Sequence, residues 1–434
     1  MNQNENERMC RVGPGTAMGS ALRRRWVAAC LSTDVSEPGG APVRIKLLGE
    51  WFVVFRDSEG VVGMLDERCP HRGASLAFGR NEDCGLRCLW HGWKIGVDGV
   101  LQETPNIADD HFRQRVKARS YDVVELGGFV WAHLAGGERP PLPDYQWAHV
   151  PDEHRLIVAA DLDSNFTQPL EGLADSSHVG ILHSNLVAKM SGGAKDLSAL
   201  RRDQAPRLLV EPTDFGFHYA ALRKVDEPTG GHHVRITAYA APLLFFIAPG
   251  GQAFMSVPQD DTHSRFYNIF WSATEPLSDG PARQFRLDMF GLHREQLAEY
   301  GMLPEHPLVG DLGRRNHFTQ DRAGMRAGST FSGLNGLTSE DAAMTASMGD
   351  LYDRAAEHLV PADLAVIRLR RILRSIADED ADRPARMTTE TSRITAAEAV
   401  LGPNADWHAL VPHHNVVGRA VAADDAATDD EQLV

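Results

Sequence analysis

The chain has 434 residues, 43% of them hydrophobic, and a formal net charge of −15. That length supplies a sizeable core and makes two domains the default expectation. The acidic balance excludes a nucleic-acid binder, because phosphate contacts need concentrated Lys and Arg, and no apolar run approaches the roughly eighteen residues that read as a membrane span. The N-terminus lacks the basic-then-apolar layout of a signal peptide, so a soluble cytoplasmic protein is expected. In chain order, Val43–Leu48 and Trp51–Phe55 are rich in β-formers, Asp57-Ser58-Glu59-Gly60 supplies a turn, and Val61–Leu65 reads as the next strand. Lys94-Ile95-Gly96-Val97 runs into Asp98-Gly99, a hairpin signal. Pro140-Pro141-Leu142-Pro143 interrupts every regular pattern, which places a domain boundary there: residues 1–145, with an N-terminal extension, then residues 146–419. In the second part, strand-like Val234–Tyr239 and Leu243–Ile247 mix with helical stretches. The clearest of these is Pro361–Ile376, apolar at Leu364, Ile367, Leu369, Ile372 and Leu373. The acidic tail 420–434 has almost no large apolar residue and reads as disordered.

Two short pairs, Cys69-Pro70-His71 and Cys88-Leu89-Trp90-His91, supply two thiolates and two imidazoles. This is the ligand set of a Rieske [2Fe–2S] cluster, in which cysteines hold one iron and histidines the other. A Cys2His2 zinc site uses the same ligands, but zinc sites usually pair like with like, whereas each pair here is mixed. Gly73, Gly79 and Gly85 offer the turn conformations that such loops need. With Cys69 and Cys88 on iron, Cys10, Cys30 and Cys84 remain as thiols of a reducing compartment. Downstream, Asp175, His178 and His183 recur at spacings that on a helix turn them toward one cavity. Two histidines and one remote carboxylate make the facial triad of a non-haem Fe(II) oxygenase. Alone the histidine pair is unremarkable; a one-electron carrier upstream gives it a purpose.

With these motifs the chain resembles the Rieske non-haem iron ring-hydroxylating oxygenases, and among them the catalytic α subunits similar to phthalate dioxygenase. The resemblance includes Gly13–Gly19, Cys69–Leu76, Leu86–Lys94, Leu170-Glu171-Gly172 leading into Asp175–His178, Gln320-Asp321-Arg322 and Met348–Arg354. Departures are Trp90 where many relatives carry tyrosine, Asp350-Leu351 for Pro-Ile, and Pro169 in the approach to the iron helix. The resemblance implies an α+β chain: an N-terminal antiparallel β Rieske domain, then a catalytic domain whose curved antiparallel sheet is covered by helices. It implies that Cys69, His71, Cys88 and His91 hold the cluster, that His178 and His183 hold a mononuclear Fe(II), and that Asp341 completes the triad, with Asp321 and Glu340 as alternatives. Asp175 corresponds to the aspartate that bridges an iron histidine to a cluster histidine, His91, of a neighbouring subunit, which requires a homotrimer or stacked trimers.

The implied activity uses O2 and electrons from a separate NADH-dependent flavin/iron–sulfur reductase to hydroxylate a small aromatic substrate, by dioxygenation or by single hydroxylation ending in O- or N-demethylation. The absence of a nicotinamide fingerprint from this sequence agrees with a separate reductase. An aromatic carboxylate, phthalate- or benzoate-like, is the expected substrate and calls for arginine partners, of which Arg207 and Arg235 are the candidates; Asn165 and Gln168 are expected to project toward the iron. A Rieske electron carrier alone would not need the residues beyond the proline boundary, and a zinc protein would be colourless.

Overall fold

The computed structural model describes residues 1–108, 110–190, 198–225, 230–304, 317–380 and 391–417; the tail 420–434 lies outside them. Strands β1 (Trp26–Leu31), β2 (Val43–Leu47), β3 (Glu50–Arg56) and β4 (Val62–Asp66) precede a small antiparallel meander: β5 (Arg80–Glu82), β6 (Gly85–Arg87), β7 (Lys94–Ile95) and β8 (Leu101–Glu103). β9 (Ser120–Leu126) and β10 (Phe129–His133) then complete a six-stranded sheet in the order β1-β10-β9-β4-β3-β2.

The near-continuous apolar run of β3 follows from burial on both faces. Alternate residues of a strand point to opposite sides: Val53 and Phe55 pack into the core beneath the meander, whereas Phe52 and Val54 pack into the larger core shared with the rest of the chain. The Asp57–Gly60 turn is closed by Gly60 N–H to Asp57 O (3.1 Å), with the Asp57 carboxylate accepting from the Glu59 and Val61 amides.

After β10, 21 residues containing the proline run carry only single 3-10 turns before β11 (Arg155–Leu162). With β11, strands β12 (Arg207–Thr213), β13 (Gly216–Lys224), β14 (His232–Ala240), β15 (Leu244–Phe246), β16 (Gln252–Pro258), β17 (Ser264–Trp271) and β18 (Ala397–Leu401) form an eight-stranded antiparallel sheet, ordered β11-β17-β16-β15-β14-β13-β12, with β18 also paired to β14. Helices Thr167–Ala174, Gly280–Phe290, Leu337–Ser347 and Leu364–Ala377 cover it.

The last helix buries Ala365, Val366, Leu369, Leu373 and Ile376, the stripe expected of an amphipathic helix, and packs on the N-terminal helices Gln3–Cys10 and Ala17–Arg23. The N-terminal extension therefore joins the second layer of the molecule. Among the described residues no helix is long and apolar enough to cross a membrane.

One local expectation is corrected. Asp175, His178 and His183 do not share a helix: the helix stops at Ala174, and Asp175 is extended (φ −84°, ψ 124°). The Asp175 carboxylate accepts from the Ser177 amide at 2.7 Å, a local bond that competes with the helical ladder, and buried Arg223 holds the Ser176 carbonyl at 2.6 Å. His178 opens a 3-10 turn (His178–Gly180), and His183 precedes the next helix, Ser184–Met190.

Candidate metal centres

The two Cys/His loops close in the same way. Gly73 N–H donates to Cys69 O (2.9 Å) and Gly92 N–H to Cys88 O (3.0 Å), while the cysteine amides donate to Ala74 O (2.8 Å) and Trp93 O (2.9 Å). Both glycines sit at positive φ, +75° and +72°, where a Cβ is disfavoured. Two equivalent loops thus face each other across the space between β4–β5 and β6–β7. The cysteines are buried, each 3% exposed, and His71 Nδ1 lies 3.1 Å from His91 Nδ1. His71 stacks on Trp93 at 4.5 Å between centroids.

Burial, with Cys88 adding to it, pushes the Cys69 thiol up to about 11, and a metal ion on the sulfur would hold the thiolate against that burial. Two buried sulfurs opposite two imidazole nitrogens fit a [2Fe–2S] cluster. The histidine side faces outward, rimmed by exposed Leu89 and by Trp90, whose ring lies beneath the Arg72 guanidinium at 4.6 Å.

The second constellation is assembled from distant segments. His183 Nε2 is 3.2 Å and His178 Nε2 3.7 Å from Asp341 Oδ1, and the three donor atoms lie within 4.8 Å of one another. Each imidazole is held from behind by a carboxylate: His178 Nδ1 lies 3.2 Å from Asp175 Oδ2, and His183 Nδ1 lies 2.6 Å from Glu340 Oε2. Ser332 Oγ donates to the other Glu340 oxygen. This is the outer-shell pattern that fixes a metal-binding tautomer, with Nε2 left for the ion. Burial opposes the charge on His183, but Asp341 and Glu340 outweigh it and raise the imidazole to about 9. Burial likewise opposes the Asp341 charge, yet the two imidazoles hold it below the usual carboxylate range. An iron on Nε2 would take the place of the proton that pairs His183 with Asp341, and two imidazole nitrogens, one carboxylate and open positions suit a divalent iron.

The helix leading to this site is anchored by a buried ionic network. Glu171 Oε1 accepts from Arg354 Nε (2.7 Å) and Arg370 Nε (2.8 Å). Arg354 also donates to Thr167 Oγ1 and Asn6 Oδ1, both at 2.8 Å, tying the N-terminal extension to the same helix.

Two family models match the chain: the Rieske [2Fe-2S] domain over residues 25–121 and the LigXa C-terminal domain like family over residues 135–430. The oxygenase subunit of phthalate 4,5-dioxygenase from Pseudomonas putida is 40% identical over 93% of both chains. The chain belongs to the Rieske oxygenase family. The 3-chlorobenzoate-3,4-dioxygenase oxygenase subunit of Comamonas testosteroni is 35% identical over 87% of this chain and 89% of its own. Among solved structures, dicamba monooxygenase bound to dicamba superposes with a TM-score of 0.56 at 18% identity, over 82% of this chain and 97% of that one, a likeness of fold.

In this Rieske oxygenase a cavity of about 350 Å³ opens beside His178, His183 and Asp341. Phe254, Phe266, Phe285, Phe290, Leu173 and Ile247 make its walls apolar. Arg235 lines it, as the sequence suggests, with Nη2 donating to Ala248 O (3.2 Å) and Nε 3.9 Å from Glu398 Oε2.

The other expected substrate contacts fall elsewhere. Arg207 is exposed at the start of β12 and does not line the cavity. Asn165 is consumed by the Cys10 and Asp261 carbonyls (2.9 and 2.7 Å), and Gln168 by those of Thr345 and Gly349 (2.7 and 3.1 Å); Gln168 instead borders a second cavity of about 230 Å³ that also reaches His178 and Asp341. Of the alternative carboxylates, Asp321 caps the helix Arg322–Ala327 through the Gly324 amide, and Glu340 supports His183. Sequence reasoning missed Arg286 and Glu398 in the cavity wall; neither carries a local motif, and only a strand pairing and a helix packing bring them in.

Proposed function

We propose that this Rieske oxygenase hydroxylates an aromatic carboxylate at a mononuclear Fe(II) held by His178, His183 and Asp341. The observation that carries the reading is the convergence of two imidazole Nε2 atoms and one carboxylate on the wall of an aromatic-lined cavity that also holds Arg235. When bound, the ferrous ion supplies O2 activation with electrons delivered through the Rieske cluster. The chain's own groups do the rest. Phe254, Phe266 and Phe290 exclude water and seat the ring, and Arg235 meets the substrate carboxylate with a charge-assisted hydrogen bond. Glu340 and Asp175 keep the protons of His183 and His178 on Nδ1, so both Nε2 atoms stay available.

The proposal extends to assembly. Asp175 keeps part of its carboxylate exposed while bonded to His178, and His91 sits on the outward side of the cluster loops; contact between Asp175 of one copy and His91 of the next in a homotrimer gives the electron a short path. A heterologous, ring-closing interface satisfies every subunit. A separate NADH-linked reductase supplies electrons, and a cytoplasmic setting agrees with five unpaired cysteines. The proline run divides a cluster domain, 1–145, whose N-terminal helices pack on the catalytic part, from a catalytic domain, 146–419.

The test is turnover with a flavin/iron–sulfur reductase, NADH and O2 against a panel of phthalates, benzoates and methoxybenzoates and their uncharged amides and methyl esters, with products identified by mass spectrometry. Oxygen incorporation into an aromatic acid, lost in His178→Ala, is expected; whether the product is a dihydrodiol, a phenol or a demethylated acid is read from the same spectra. Turnover confined to neutral substrates refutes the carboxylate assignment.

A further inference from the structure

Away from the catalytic cavity, antiparallel pairing of β12 with β13 sets Glu211 directly opposite His218, and the 3-10 turn Trp407–Leu410 lays His408 against the same carboxylate. Glu211 Oε2 is 3.0 Å from His218 Nε2 and 2.8 Å from His408 Nε2, and the three donor atoms lie within 4.8 Å of one another. These separations match the 3.1 Å between His71 and His91 and the 3.2 Å between His183 and Asp341. His218 is 0% exposed, an ionisable ring set between Phe217 and Tyr219 in a strand that is apolar from there to Leu222.

We propose that Glu211, His218 and His408 form a zinc site that staples the C-terminal segment 391–417 to the sheet. Zinc takes two imidazole nitrogens and a carboxylate oxygen in a tetrahedral shell that water completes; with bonds of about 2.0–2.1 Å the ligand atoms stand about 3.3 Å apart. Widening the present separations by a few tenths of an ångström admits the ion.

The rings are held from behind as metal ligands are. His408 Nδ1 lies 2.5 Å from Asp406 Oδ1, which leaves Nε2 for the metal. His218 Nδ1 lies 2.8 Å from His414 Nδ1, and the Thr395 amide donates to His414 Nε2 at 3.0 Å. With zinc on Nε2, the His218 proton moves to Nδ1 and is donated to His414, whose own proton moves to Nε2, so the Thr395 amide gives up that bond. Ring protons are relocated and no redox step is involved. The segment has little regular structure of its own, chiefly β18, and β18 carries Glu398 into the wall of the catalytic cavity. Metal binding of this kind couples directly to folding of the segment that supplies the ligands.

The test is elemental analysis of the untagged full-length holoprotein after dialysis against Zn2+ and then metal-free buffer, with the Rieske electron-resonance signal recorded on the same samples. About one zinc per chain in addition to iron is expected, lost in Glu211→Gln and in His408→Ala with the Rieske signal unchanged. Asp406→Asn, which keeps all three ligands, should weaken zinc binding on the order of 10–100-fold and serves if His408→Ala does not fold. Hydrogen exchange at the Thr395 amide should accelerate on zinc binding. A zinc-free wild type after this dialysis overturns the proposal; so does zinc retained in both ligand variants, which would place the ion at His178, His183 and Asp341.

Discussion

Glu340→Ala is the sharpest probe of how the iron site is built, because it removes no proposed ligand. Both side chains of the Glu340–His183 pair are 4% exposed, and their 2.6 Å hydrogen bond is the one that fixes the His183 tautomer. A hydrogen bond to a charged group contributes about 1.5–3 kcal/mol. At about 1.4 kcal/mol per decade, losing it should weaken ferrous-iron binding on the order of 10–100-fold, the range found for outer-shell changes at metal sites. Ser332, which donates to Glu340, loses its partner as well, so the upper half of that range is expected. Glu340→Gln keeps an acceptor and should lose less. The assay is competition for Fe(II) with a chelator of known affinity, with the Rieske absorbance as internal control, since Cys69 and Cys88 belong to a separate core beneath the meander. Wild-type iron affinity in Glu340→Ala would refute the positioning role, and parallel loss of the Rieske spectrum would show global damage instead.

Asp175→Asn should keep both metal centres but slow reoxidation of the reduced cluster on the order of 10–100-fold in rapid mixing with substrate and O2; loss of the mononuclear iron from this variant would make Asp175 a ligand. Arg235→Ala should raise the KM for an aromatic carboxylate by about 10–100-fold, the worth of one charge-assisted hydrogen bond, while the KM for an uncharged analogue stays put. Glu171→Gln deprives buried Arg354 and Arg370 of their shared carboxylate, and breaking a buried pair costs about 3–5 kcal/mol, so a lowered midpoint in calorimetry is expected. Asp260 bridges the two sheets by pairing with Lys46 and His263. Burial opposes its charge, but His263 and Lys46 hold it well below the usual carboxylate range, and Asp260 in turn raises His263. The carboxylate's contribution is present above about pH 4 and fades as pH falls through its depressed pKa; the imidazole's is present below about pH 6.5 and fades as pH rises through its raised one. The difference in melting temperature between wild type and Asp260→Asn should therefore peak between about pH 4 and 6.5, and a gap that does not vary with pH would refute the pairing.

What the sequence determines by itself is the chemistry that lies within a few residues. Cys69 to Gly73 and Cys88 to Gly92 each close on their own backbone, with a glycine where a positive φ is needed, so ligand spacing and loop shape are one local fact. The strands from Val43 to Asp66 and the helix Leu364–Ala377 are equally legible, because short β-branched and aromatic runs bounded by turn residues, and period-3.6 burial, are written into side-chain order. Tertiary structure decides the rest. Asp175 reads as part of a helix until Arg223, 47 residues beyond Ser176, takes the Ser176 carbonyl. Neighbouring Glu340 and Asp341 are chemically interchangeable in sequence, and only the direction of one helix gives Asp341 the face toward both imidazoles and Glu340 the back of His183. Arg207 and Arg235 look alike as carboxylate partners, yet β12 leaves one in solvent while β14 aims the other into the cavity beside Glu398. Long-range pairing sets these outcomes, and a donor's identity carries no information about which distant segment will face it.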